Sequence, residues 1–249
     1  MYISKVSKNL IPVCVLASVF SGLSGCGGGG DDGNSASATA ATPAIVGDTT
    51  TLASCMSPSL GKQYAAKEAG SEITVSFYGG TYNGSDVTVE KHHRAADPSG
   101  VFSELYTVYT PEKLTNLGDR DYNASGTIDT TTYAGYSIDL TKKVGESQVL
   151  SITKTNSYGP STYSSTFVFD GVETLTMAGV TLNTCRTMLV GENSLRQSRP
   201  GTSTTTAWFA AGYGFSYPVK VSASFDYSDG KAPARESFDN VVILTVPLH

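Results

Sequence analysis

The sequence predicts an all-β fold with minor helix: an antiparallel meander curled into a half-barrel or barrel, with one or two short helices. Three observations predict it. Apolar and polar residues alternate with a period of two from Glu72 onward. An Asn83-Gly84 step separates two such runs, and both residues tolerate the positive φ of a type I′ hairpin turn. The composition replaces helix formers with turn and strand residues. Charged residues make up 16%, against about a quarter in an average chain, while there are 26 glycines and 14 tyrosines.

Taken in order, Ile73, Val75 and Phe77 share one face of the first run, and Val87 and Val89 follow the turn. Further runs cover Val101–Tyr109, Tyr133–Leu140, Gln148–Thr153, Tyr163–Phe169, Val172–Met177, Asn183–Val190, Thr204–Ala210, Phe215–Tyr227 and Phe238–Val246. Val219, Val221, Ala223, Phe225 and Tyr227 fall on one side of their strand. Lys220, Ser222, Ser224 and Asp226 fall on the other, the pattern of a sheet with one wet face. Two short helices are expected. One lies over Pro58–Ala69 with Ser57 as its N-cap. The other starts at Thr110-Pro111-Glu112-Lys113-Leu114, with Thr110 capping and proline in the first position.

The chain divides into three parts. Residues 1–25 read as a signal peptide: Lys5 and Lys8 precede an apolar run, Leu10–Phe20, too short to span a membrane as a helix. Leu23-Ser24-Gly25-Cys26 then resembles the bacterial lipobox, which implies cleavage before Cys26 and acylation of that residue. Several acyl chains, at ~0.8 kcal/mol per buried CH₂, anchor firmly where one alone is marginal. Residues 26–50 are a tether rich in Gly, Ser, Ala and Thr, without the apolar period needed to bury a core. Residues 51–249 form a single β-rich domain. Gly27 stands where an Asp would retain many such proteins at the inner membrane, so the expected address is the outer membrane, on its periplasmic side or at the cell surface.

Of four cysteines, Cys14 leaves with the signal peptide and Cys26 carries lipid. Cys55 and Cys185 remain in an oxidising compartment, and one disulfide between them is the simplest assignment; two separate buried thiols are the alternative. The whole chain carries a net charge of −5; without Lys5 and Lys8, 15 basic residues face 22 acidic ones. That balance offers no footprint for nucleic acid.

Motifs for chemistry are sparse. His92 and His93 are neighbours in a strand and point to opposite faces, so they do not chelate one metal together. No Gly-x-Ser-x-Gly elbow, P-loop or dinucleotide fingerprint occurs, and no cofactor is expected. Asp121-Tyr122-Asn123-Ala124-Ser125-Gly126 fits most of a calcium loop, with Asp121, Asn123, Ser125 and Asp129 as oxygen donors. Thr132 occupies the place of the bidentate Glu, and a polar turn explains the same residues.

Phe169-Asp170-Gly171-Val172-Glu173, running on to Ala178-Gly179 and Asn183-Thr184-Cys185, and then Thr206-Ala207-Trp208-Phe209-Ala210-Ala211-Gly212-Tyr213-Gly214, resemble segments of a group of bacterial envelope proteins. Those proteins look similar to periplasmic lipoprotein carriers, in which a curved antiparallel sheet half-wraps an apolar cavity. The resemblance covers about 50 residues and departs at Val180-Thr181-Leu182 and Phe209. It implies a curved sheet. On its concave face Phe167, Phe169, Trp208 and Phe225 are expected to line an apolar groove, with a closed, dry sandwich as the alternative. The functional expectation is a non-enzymatic, membrane-anchored envelope lipoprotein binding an apolar ligand, a lipidated partner or another envelope protein. A surface-displayed adhesin or interaction module is the alternative, and a hydrolase without a familiar motif is the third reading.

Overall fold

The computed structural model describes residues 50–68, 71–94, 101–122, 128–177, 179–192, 199–214 and 216–244. One five-residue helix, α1 (Leu52–Met56), precedes β1 (Gln63–Glu68), β2 (Ser71–Tyr82), β3 (Ser85–Arg94), β4 (Val101–Thr110) and β5 (Lys113–Tyr122). Then come β6 (Ile128–Ala134), β7 (Ser137–Asp139), β8 (Ser147–Asn156), β9 (Gly159–Met177) and β10 (Val180–Glu192). The chain finishes with β11 (Gly201–Ala210), β12 (Lys220–Tyr227) and β13 (Arg235–Leu244).

All thirteen strands belong to one curled antiparallel sheet, in the order β4-β3-β2-β1-β13-β12-β11-β10-β9-β8-β6-β5-β7. β4 also pairs with β5 from Ser103↔Asp121 to Thr110↔Lys113. The ladders therefore run round the sheet and return to their start, with β7 attached at the side. The ring is not sealed over its whole height. The β1–β13 ladder holds only Ala66↔Leu244, Lys67↔Ile243 and Glu68↔Val242. The β6–β8 ladder is equally short, from Thr132↔Thr155 to Ala134↔Thr153. Curling hides an apolar face and pairs strand edges that would otherwise invite aggregation.

The Asn-Gly signal is met: Tyr82 pairs with Ser85, and Asn83 (φ 50°) and Gly84 (φ 81°) make the two-residue turn. β12 keeps the expected alternation, with Val221, Ala223, Phe225 and Tyr227 buried.

Both helix expectations need correction. Residues 63–68, inside the helix expected over Pro58–Ala69, form β1. Its Tyr64 and Ala66 are buried and pair with Val75 and Ile73, so period two governs the segment. The helix that does form lies just upstream, where Thr51 and Ser54 make a reciprocal capping box and Ser57 is the C-cap. Thr110-Pro111-Glu112-Lys113 is the β4–β5 turn, with Thr110 pairing to Lys113 across it. Pro111 serves a tight turn as readily as a helix start. Further along, the two runs expected at Tyr163–Phe169 and Val172–Met177 are one strand, β9, opposite a register shift at Arg186/Thr187 in β10.

Two apolar cores fill the sheet. One gathers Leu52, Cys55 and Met56 of α1 with Leu150, Ile152, Phe167, Phe169, Cys185, Ala207 and Phe209. The other gathers Tyr64, Ile73, Val75 and Phe77 with Leu182, Trp208, Ala210 and Val219. Ala207, Trp208, Phe209 and Ala210 are all buried. Since successive strand residues point to opposite faces, the end of β11 is a wall with one core on each side.

Cys55 and Cys185 are bonded, with Cα atoms 6.0 Å apart, across 130 residues of sequence. The bond pins α1 into the first core. A five-residue helix does not stand alone in water. Burying Leu52 and Met56 contributes roughly 3–6 kcal/mol. Ordering the segment from Thr51 to Ser57 costs about 1–2 kcal/mol per residue. Burial of these two side chains does not by itself offset that cost, so a loop-closing disulfide, near ~5 kcal/mol in the chain-entropy model, decides whether α1 docks. Replacing Cys55 and Cys185 together by alanine is expected to lower the unfolding free energy by about 2–5 kcal/mol. Denaturant titration of variant and wild type checks this; an unchanged midpoint would mean that α1 docks without the bond.

Candidate functional site

The four aromatic residues expected to line one groove are all buried, but they do not share one. Phe169 pairs with Thr187, and Thr187 with Ala207, so Phe167 and Phe169 lie on the Ala207 face. Trp208, the next residue along β11, faces the opposite core. Its indole N–H donates to Glu173 Oε1, and Lys220 Nζ sits 4.5 Å from its ring. Phe225 pairs with Ser203 on the Ala207 face but packs at the other end of its strand, beside Phe238 at 5.8 Å. Strand alternation separates Trp208 from the phenylalanines, and α1 fills the space beside Phe167 and Phe169.

Polar groups collect elsewhere on the inside. His92 is 0% exposed; its Nε2 lies 2.7 Å from Glu90 Oε1, and its ring meets that of Tyr217 edge to face, centroids 5.1 Å apart. Ser216 Oγ donates to Glu90 Oε2 at 3.3 Å. Ser216 and Tyr217 belong to the loop between β11 and β12, which thus reaches β3. Tyr109 is hydrogen-bonded to Ser216, and burial, reinforced by Glu90, pushes its phenol well up. Glu90 stands between serine and histidine in this chain of contacts. Nucleophilic catalysis needs the histidine between hydroxyl and acid. The arrangement therefore ties a loop to a strand and does not activate Ser216. His93 points away from His92, as alternation requires, and is half-buried.

A second polar group spans β5, β6 and β8. Asp119 is buried, pairs across the ladder with Thr131, and accepts from Tyr133 Oη at 2.7 Å. Lys154, buried on β8, pairs with Tyr133. Burial, with the Asp121 charge adding to it, pushes the Asp119 carboxyl well above the usual carboxylate range. Burial also raises Asp121, with Asp129 adding and a hydrogen bond from Ser103 opposing. Lys154 is lowered by burial, against the pull of Asp119, Asp129 and Asp121.

Of the calcium-loop candidates, Asp121 and Asp129 are direct partners across the β5–β6 ladder. Asn123 and Ser125 lie outside the described residues, as does Cys26. Among the described residues no group of three or more His, Cys, Asp and Glu is arranged to hold a metal ion. Nor is any described helix long and apolar enough to cross a membrane.

On the opposite face of β2–β5 from Phe77, tyrosines make a small cluster of their own. Tyr82 and Tyr106 stack with ring centroids 4.2 Å apart. The Glu104 carboxylate accepts from Tyr106 at 2.7 Å and Tyr122 at 2.8 Å and pairs with Lys91 at 3.1 Å. Each partner of this carboxylate is a hydroxyl or ammonium of the fold itself, so the cluster braces the β3–β4–β5 surface.

No protein-family model matches the chain. No curated protein matches it in sequence. Among solved structures the chain is similar to a candidate lipoprotein from Parabacteroides distasonis ATCC 8503, at 11% identity and a TM-score of 0.39, covering 80% of this chain and 98% of that one. It is also similar to the hypothetical lipoprotein YmcC from Escherichia coli K12, at 15% identity and a TM-score of 0.34, covering 75% of this chain and 89% of that one.

The Asp119 group makes a pH prediction. The folded chain holds the Asp119 proton more tightly than the unfolded chain, where an aspartate titrates near ~3.9. Its contribution is therefore fully present at acid pH and is lost as pH rises from about 4 through the raised folded value. Asp119→Asn removes that loss and keeps an acceptor for Tyr133. The stability of the variant relative to wild type is expected to increase as pH rises from 4 to 7. Unfolding curves at several pH values check this; a difference independent of pH would contradict the buried, neutral acid.

Proposed function

We propose that this chain is a lipid-anchored protein of the bacterial envelope, non-enzymatic, whose curled sheet is held off the membrane by a flexible tether and binds a small apolar ligand or a lipidated partner. Cys26, directly after Leu23-Ser24-Gly25 at the end of a signal-peptide-sized apolar run, carries the reading. The disulfide supports export, since such bonds persist in oxidising compartments. The tether, residues 26–50, ends where α1 begins, and α1 is fixed to β10 through Cys55. A pull on the anchor is thus delivered to the middle of the sheet and not to a fraying terminal strand. The Gly27 position favours the outer membrane as the address.

Metabolic labelling with a fatty acid tests the anchor. Wild type is expected to take up label and fractionate with membranes, and Cys26→Ser to lose at least ten-fold of the label, because no other cysteine follows a lipobox. Label persisting in the variant would sink the assignment.

A further inference from the structure

Gly79 and Gly80 sit side by side within β2, where glycine weakens a strand and gives nothing to packing. The fold explains the second. A Cβ on Gly80 would stand 2.8 Å from Val89 Cγ2, so a side chain there would have to displace Val89. Nothing explains the first in the same way. Gly79 has no positive φ, and a Cβ built on it meets no atom within 4 Å. The space above Gly79, itself exposed, belongs to an open depression of about 430 Å³ bordered by Leu60, Asp86, Thr88 and Tyr109. That volume lies within the range of small-molecule sites. Thr88 is the direct ladder partner of Gly79. Leu60, 59% exposed, stands at its side as an apolar residue that the fold leaves uncovered.

We infer that this depression is a binding site for a small molecule without negative charge, having an apolar ring or short apolar chain and at least one hydrogen-bond donor. The apolar part follows from Leu60 and the Tyr109 ring. The donor follows from Asp86 and the Thr88 hydroxyl, both able to accept. The exclusion of anions follows from Asp86 and from the lack of any Lys, Arg or His among the lining residues. Gly79 is the floor: it keeps open a volume that any side chain would fill. Behind the Tyr109 wall, the Ser216–Glu90–His92 contacts fix the ring in place. The site gives the ligand clause of the proposed function a location, and it stands independently of the lipid anchor.

The test is titration of the full lipidated protein in detergent with 2-naphthol, a neutral ring with one O–H donor. 2-Naphthoate, its anionic counterpart, runs in parallel, and each titration is corrected for detergent alone. Wild type is expected to bind 2-naphthol at one saturable site and 2-naphthoate at least ten-fold more weakly. Gly79→Val is expected to abolish 2-naphthol binding while its thermal midpoint stays level or rises, because valine suits a strand better than glycine. Asp86→Asn is expected to narrow the gap between the two probes. Absence of saturable 2-naphthol binding in wild type would overturn the site, as would unchanged binding in a folded Gly79→Val. If Gly79→Val lowers the thermal midpoint, Leu60→Ala takes its place, and binding unaffected by that change overturns the inference equally. Either failure leaves the anchor, read by fatty-acid labelling, untouched.

Discussion

The ladder between β1 and β13, the first and last strands of the meander, is the constraint on which the rest of this structure depends. A meander of alternating strands has one apolar face too large to leave in water and two edges that invite pairing with other chains. Bringing β13 onto β1, from Ala66↔Leu244 to Glu68↔Val242, answers both at once. The sheet must then curve enough for its own two ends to meet. Curvature places Glu90, His92, Asp119 and Lys154 on the inside, where they are buried and must find partners among themselves. It also leaves an interior that side chains of the strands do not fill alone. Helix α1 and the loop between β11 and β12 complete it.

The disulfide acts on that second requirement. Without a covalent tie, α1 is a five-residue helix with two large apolar side chains, whose burial does not by itself offset the cost of ordering the segment. With the tie, Leu52 and Met56 become fixed parts of the first core. The wall formed by Ala207–Ala210 then has apolar groups on both sides. That explains why this stretch of sequence shows no polar alternation while β12, beside it, does.

Much of the fold was legible in the residues. The Asn83-Gly84 turn, the alternation of β12 and the Cys55–Cys185 pairing follow from local chemistry or from arithmetic, and each is present. Helix signals were the weak point. Pro111 and Thr110 satisfy a turn as well as a helix start, and Gln63–Glu68 is too short for either period to declare itself. The site was less legible. Phe167, Phe169, Trp208 and Phe225 look alike as apolar strand residues, but the register of β9, β10 and β11 puts Trp208 on the other face. Asp119 and Lys154 come from β5 and β8, and their meeting depends on strand order that no local pattern encodes. Gly79 is informative only once the space above it is known, because a strand glycine has several ordinary explanations.

Hydrogen exchange on the folded protein tests the curled sheet most directly. If β1 and β13 are paired as described, the amides bonded across their ladder, from Ala66↔Leu244 to Glu68↔Val242, will be protected well beyond those of the turn at Ser157 and Tyr158. Exchange across that ladder as fast as in the turn would mean that the two ends of the sheet do not meet, and the account of a curled sheet would be wrong.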